Sequence, residues 1–196
     1  MKHDRRHDIL AAAMELFAKK GFRGTTTRDL ATQADVNEAI IFRYFNNKEE
    51  LYRAILEHKA GENRNAHLEE LERTAGSNDD RKFFETVGRT FLEKHEKDST
   101  FYRLLLFSAL EGHQLSDMFV ASITARNPIR NYIQKRINEG AFRKVDAELA
   151  ARGLVGMFAS FVLWQEIFGF KKTHPHDREE VVRTFVSIFL KGIAND

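Results

Sequence analysis

An all-helical fold is the class this 196-residue sequence predicts, and three observations carry the expectation. Apolar residues recur at three- and four-residue spacing in one segment after another. Helix start and stop signals separate those segments. The two prolines, Pro128 and Pro175, fall where a helix begins or a connection runs, so neither interrupts a helical pattern. Within that class the expected organisation is an N-terminal three-helix domain over residues 1–50 joined to a larger helical domain over 51–196.

The first stripe, Ile9, Ala13, Leu16 and Phe17, makes an amphipathic helix. It stops where Lys19 and Lys20 meet the negative end of the helix dipole and Gly21 follows. Thr26 and Asp29 have capping-box spacing, which predicts a short helix from Thr27 to Ala34, with Leu30 and Ala34 inward. A tight turn at Asp35 leads to Val36. Asn37 is a good N-cap for a third helix to Phe45, in which Ile41 and Phe45 point inward and Glu38, Ala39, Arg43 and Tyr44 point out. Asn47 with Glu50 repeats the capping spacing before a connecting helix that carries Leu51 and Ile55 and runs on toward Leu71.

The turn-rich stretch AGSNDD, residues 75–80, breaks the pattern, and Phe83, Phe84, Val87, Phe91 and Leu92 resume it. Further helices are predicted from Phe101 to Gln114 and, behind Asn127 and Pro128, to Asn138. The longest apolar helix is expected between Asp146 and Phe170, apolar on almost every face. After the polar connection KKTHPHD, Asp177 with Glu180 caps a last helix through Ile193.

Composition excludes more than it asserts. With 42% hydrophobic and 31% charged residues the chain reads as an ordinary globular protein, and no apolar run is expected to be long enough to span a bilayer. The charged start MKHDRRHDIL lacks the apolar stretch of a secretory signal, which predicts a cytoplasmic location with no membrane partner. There is no cysteine, so thiolate nucleophiles, disulfides and cysteine-held metal centres are excluded. No H-E-x-x-H, nucleophile elbow or glycine-rich phosphate loop occurs, so neither an enzyme nor a bound cofactor or metal is expected. His174 and His176 sit in a polar connection where they bind metal at most adventitiously. A net charge of +2 is too small to imply nucleic-acid binding, so any such contact must come from where the charges stand.

That placement is informative. Two short helices joined by a tight turn and preceded by a stabilising helix have helix-turn-helix dimensions. Arg28 and Lys48 each put a cation in the first turn of a helix, where the dipole opposes it unless an anion binds there. Arg43 and Tyr44 add a donor fork and a hydroxyl on the third helix. Each of these reads singly as a solvated surface charge, but their gathering around one helix pair outlines a surface for phosphate and base edges. Lys2, Arg5 and Arg6 form either a basic arm toward the DNA backbone or a frayed terminus.

The segment ILAAAMELFAKKGFRGTTTRDLATQADVNEAIIFRYFNNKEELYRAIL resembles the DNA-binding domain of the TetR family of transcriptional regulators. The LFAKKGF helix end, the TTTRDLA start, the A-x-V turn, the aromatic third helix and the final NKEEL carry the likeness, over about a quarter of the chain. The sequence departs from the family pattern in three ways: Asp35 replaces the turn glycine, Phe42 replaces a phosphate-binding tyrosine, and Ala39-Ile40 replace a frequent Gly-Thr pair.

The resemblance implies a homodimeric regulator, usually a repressor, that holds a palindromic double-stranded operator and releases it on binding a small-molecule effector. It implies phosphate or groove contacts from Thr26, Thr27, Arg28, Tyr44 and Lys48, and base reading by Glu38, Ala39 and Arg43. It also implies that residues 51–196 receive the effector and dimerise, through helices at 147–168 and 179–193. The 17 phenylalanines point to a lipophilic or aromatic effector. Phe91, Phe101, Leu104, Phe107, Phe119, Phe158, Phe161 and Trp164 are the candidate lining, with Glu111, His113, Gln114 and Glu166 as orienting groups. Aromatic residues at helical spacing are equally core. The competing use of the fold is a helical small-molecule carrier or protein-binding module without specific DNA recognition.

Overall fold

In a computed structural model, residues 4–62, 64–112, 117 and 127–194 are described. They fall in two compact units, one drawn from 1–64 and 100–125, the other from 65–99 and 126–196. Both units are helical, and no strand occurs among the described residues beyond one isolated antiparallel bridge, Phe142 to Ala194.

The first unit contains α1 (Arg5–Lys20), α2 (Thr27–Gln33), α3 (Glu38–Tyr44), α4 (Lys48–Glu62) and α7 (Thr100–Leu110). The expected stripe of α1 is its buried face, with Ile9, Ala13 and Phe17 fully enclosed. Against it pack α2, α4 and α7. Leu30 of α2, Ile41 and Phe45 around α3, Leu51, Tyr52 and Ile55 of α4, and Phe101 and Leu104 of α7 complete one core. The Tyr52 ring meets Phe17 edge-on at 4.8 Å, and its hydroxyl donates to the Leu104 carbonyl at 3.3 Å. Burial pushes that phenol up to about 12.

The second unit contains α5 (Arg64–Gly76), α6 (Asp80–Lys97), α8 (Pro128–Asn138), α9 (Ala147–Val162) and α10 (Arg178–Ile193). Here α6 packs on α9 and α10, and α8 packs on α9. Phe83 stacks on Tyr132 at 3.9 Å, and the Tyr132 hydroxyl donates to Asp80, which Arg136 also pairs at 2.7 Å. Two arginine forks join α6 to the start of α10: Arg89 on Glu179, and Arg178 on Glu96.

The expected helix at 146–170 is not one regular element. After Val162 the ladder widens into a π turn, Leu163–Ile167, in which the Phe168 amide reaches back five residues to the Leu163 carbonyl. Gly169, at φ 81°, then turns the chain into a 3₁₀ piece, Phe170–Lys172. The run Ala147–Ile167 corrects one expectation, that no apolar run is long enough to span a bilayer, because by length and composition alone it would suffice. Its charged residues, Glu148, Arg152 and Glu166, lie toward the ends and leave the middle apolar. One face, Ala151, Leu154, Phe158 and Val162, is buried within its unit. The helix expected to reach Gln114 ends at Leu110, and His113 and Gln114 lie outside the described residues.

Candidate nucleic-acid interface

The helix pair is built by caps. The Thr26 hydroxyl accepts from the Asp29 amide while the Asp29 carboxylate accepts from the Thr26 amide, the reciprocal box that the spacing predicts. Those hydrogen bonds, then Lys20 at 3.2 Å, hold the Asp29 carboxyl below its ordinary range. Asn37 caps α3 by accepting from the Ile40 amide.

Between the two helices Asp35 takes the left-handed conformation, φ 50°. The Val36 amide then donates to the Ala31 carbonyl at 3.0 Å and the Asp35 amide to Thr32 at 3.3 Å. This pair of bonds is the Schellman ending, normally built with glycine, and here aspartate accepts the geometry.

The turn fixes which side of α3 faces out. Ile41 and Phe45 are buried, while Glu38, Ala39, Phe42, Arg43 and Tyr44 are all exposed. The outward set is therefore the one expected from periodicity, joined by Phe42, whose ring is 48% exposed. Thr26 and Arg28 are exposed at the start of α2, and Thr27 is half-buried. The Thr27 hydroxyl donates to Glu38 Oε2 at 2.8 Å, so the first turns of α2 and α3 are tied together through the carboxylate expected to read bases.

Lys48 occupies the first turn of α4, as the sequence implies, and its charge has local partners. Its Nζ donates to the carbonyls of Phe22 and Thr25, at 2.8 and 2.9 Å, and stands 4.1 Å from the centroid of the Phe22 ring. An ammonium has three donors, so these bonds leave one for a phosphate. Of the basic arm, Arg6 lies over the Phe45 ring at 5.3 Å, and Lys2 is outside the described residues.

Two features of this region have no sequence signal. The Glu111 carboxylate, in the turn after α7, accepts from the amides of Phe22 and Arg23, 89 and 88 residues away. Gly24 has no room for a side chain, because a Cβ there would stand 2.2 Å from the Lys20 carbonyl oxygen.

The expected effector lining divides between the two units. Phe101 and Leu104 belong to the core beneath the helix-turn-helix, and the Phe107 ring lies against Gly21. Phe91, Phe158 and Phe161 line up in the second unit, the latter two against Phe185 at 5.5 and 6.0 Å. Trp164 is half exposed beside Phe168 and Phe170, each 5.1 Å away. Phe119 lies outside the described residues. Of the orienting groups, Glu111 is engaged as above and Glu166 pairs with Lys171 at 2.7 Å.

Comparison with known proteins agrees with this architecture. Residues 9–55 match the family described as bacterial regulatory proteins, tetR family, and residues 84–192 match the C-terminal domain of AefR-like transcriptional repressors. The uncharacterized HTH-type transcriptional regulator YvkB of Bacillus subtilis is 50% identical over 64 residues, a stretch covering 33% of each chain. YhgD of the same organism, also an uncharacterized HTH-type transcriptional regulator, is 26% identical over 99% of both chains. The HTH-type transcriptional repressor KstR2 of Rhodococcus jostii is 24% identical over 99% of this chain and 93% of its own. Among solved structures, a putative fatty acid metabolism regulator of Clostridium perfringens superposes with a TM-score of 0.73 at 18% identity, covering 96% of this chain and all of that one. The fatty acid degradation regulator FadR of Bacillus halodurans gives 0.71 at 19% identity, over 97% and 96%.

Proposed function

The chain belongs to the TetR family and is a DNA-binding transcriptional regulator, not an enzyme, and on that premise we propose that it represses from a palindromic operator until a small lipophilic or aromatic effector releases it. The observation that carries this is the outward face of α3. A seven-residue helix buries one aliphatic side chain and turns five others, Glu38, Ala39, Phe42, Arg43 and Tyr44, to solvent. A helix of that kind enters a major groove.

In this assignment Thr26, Thr27, Arg28, Tyr44 and Lys48 take phosphate oxygens, and Glu38, Ala39 and Arg43 face base edges. Residues 1–50 bind DNA, and 51–196 take the effector and dimerise. A second copy of the chain covers α9, the π turn and α10. Leu149, Trp164, Phe168 and Ile188, 66, 48, 61 and 57% exposed, give these elements more uncovered apolar surface than a lone protomer normally carries. The protein works in the cytoplasm, with no membrane partner and no cofactor. Lipophilic chemistry for the effector is in keeping with the structural neighbours described as fatty acid regulators and with one described as a ketosteroid regulator.

Salt-dependent gel shifts test this reading. A palindromic duplex from upstream of the gene should bind at least about a thousandfold more tightly than random DNA, and its affinity should fall as salt rises. Equal affinity for both duplexes leaves the protein a carrier or interaction module.

A further inference from the structure

Gly21 to Thr25, the residues that join α1 to α2, supply few partners for their own main chain. The contact internal to them is a long one, from the Thr25 amide to the Phe22 carbonyl at 3.4 Å. Two charged side chains from elsewhere in the unit take four of its other main-chain groups. Lys48, at the start of α4, holds the carbonyls of Phe22 and Thr25. Glu111, just past α7, holds the amides of Phe22 and Arg23 at 3.0 and 3.3 Å. A carboxylate between two main-chain amides is a charge-assisted arrangement, stronger than its neutral counterpart.

The fit around Glu111 is close. A Cβ on Gly21 would stand 2.4 Å from Glu111 Oε1 and push the carboxylate aside, and Gly21 also holds φ +74°, where any side chain is strained. The Thr25 hydroxyl donates to the Gly21 carbonyl at 2.8 Å, which closes the loop on itself one residue before the cap of α2. Whatever fixes Phe22 and Arg23 therefore also fixes where Thr26, Thr27 and Arg28 begin.

We propose that Glu111 is a positioning residue for DNA binding: by clamping the Phe22 and Arg23 amides it sets the start of α2, and with it the phosphate contacts of Thr26, Thr27 and Arg28. This rests on the DNA-binding reading above. A displacement of under about 1 Å takes a phosphate hydrogen bond from its best length past the limit at which it counts as one, so a small error at the loop is enough.

The test compares the full-length wild type with Glu111→Gln and Glu111→Ala, in two measurements. The first is hydrogen exchange at the Phe22 and Arg23 amides, which should be roughly tenfold or more faster in both variants. The second is binding to a duplex selected from random DNA on the wild type. Affinity should fall about tenfold, and the slope of log affinity against log salt should become shallower by about 1. Glutamine keeps the size of the side chain and guards against a folding defect, and a mere loss of stability does not move the salt slope. Unchanged exchange at both amides overturns the clamp. Faster exchange with affinity and salt slope unchanged overturns its role in positioning. A wild type that selects no duplex overturns the DNA-binding reading instead, while the exchange measurement still decides whether the clamp exists.

Discussion

The Lys48 ammonium donates to the Phe22 carbonyl at 2.8 Å and stands 4.1 Å from the centroid of the same residue's ring. A cation in the first turn of a helix works against the dipole, and these contacts, with the Thr25 carbonyl, offset that cost without any DNA present. Lys48→Met should therefore lower folding stability by about 2 kcal/mol, since it removes two charge-assisted hydrogen bonds from a half-buried site. Urea unfolding of the two proteins measures this. A difference near zero assigns Lys48 to DNA contact alone.

Asp35 bears a left-handed backbone where glycine is at ease. Asp35→Gly should raise stability by up to about 1 kcal/mol, and Asp35→Ala should lower it by a similar amount, because alanine has neither the freedom of glycine nor a short polar side chain to bond locally. In a protein of this size each change moves the thermal midpoint by about 2–4 °C. A lower midpoint for the glycine variant contradicts the strain at this turn.

On the reading helix, Arg43→Ala and Arg28→Ala should fail differently. Arg43 is assigned to a base edge, so its loss should weaken the selected operator by roughly 1 to 3 kcal/mol and leave random DNA nearly untouched. Arg28 is assigned to phosphate, so its loss should weaken all duplexes alike and flatten the salt dependence. Uniform loss for Arg43→Ala, read in competition gel shifts, removes it from the base-reading set.

His95, in α6 beside the Phe91 ring at 4.7 Å, is buried, and that burial, with Lys94 adjoining, depresses its pKa to about 4. The folded ring stays neutral between pH 4 and 6.5 while the unfolded one takes up a proton. Its contribution is thus fully present above about 6.5 and is lost as the pH falls toward 4, by an amount on the order of 3 kcal/mol in all and about 2 by pH 5. Denaturation midpoints at pH 7 and 5 should diverge for the wild type and converge for His95→Gln. Equal divergence in both assigns the acid sensitivity elsewhere.

Gly88 lets α6 and α9 approach. A Cβ there would stand 2.4 Å from Phe158 Cζ, with two more ring atoms within 3.0 Å, and Phe158 is fully buried. Gly88→Ala should therefore destabilise the protein by about 1–3 kcal/mol although alanine is the better helix former. A gain in thermal midpoint means that the ring has room to move.

What was legible in the sequence is what local chemistry dictates. The Thr26/Asp29 box, the Asn37 cap, the inward Ile41 and Phe45, and the outward Glu38, Ala39, Arg43 and Tyr44 follow from spacing within a few residues, and the structure places each accordingly. At the start of α4 the Asn47 side chain accepts from the Glu50 amide at 2.7 Å as the spacing predicts, and only the return contact shifted, the Glu50 carboxylate accepting from the main chain and side chain of Asn46. Long-range partnership was not legible. Nothing in the order of residues says that Glu111 meets Phe22, that Lys48 faces carbonyls, or that Phe101 and Leu104 lie under the helix-turn-helix. Periodicity shows that a residue turns inward, but not which core it enters. The π turn at Leu163–Ile167 was hidden for a related reason, because its apolar residues suit a regular helix equally well.

Footprinting on a duplex selected from random sequence tests most directly whether two copies of α3 read DNA together. The expected result is two protected half-sites of inverted sequence, with centres separated by about 34 Å or a multiple of it, and protection lost at the bases but kept on the backbone in Arg43→Ala. One unpaired patch, or protection indifferent to sequence, contradicts it.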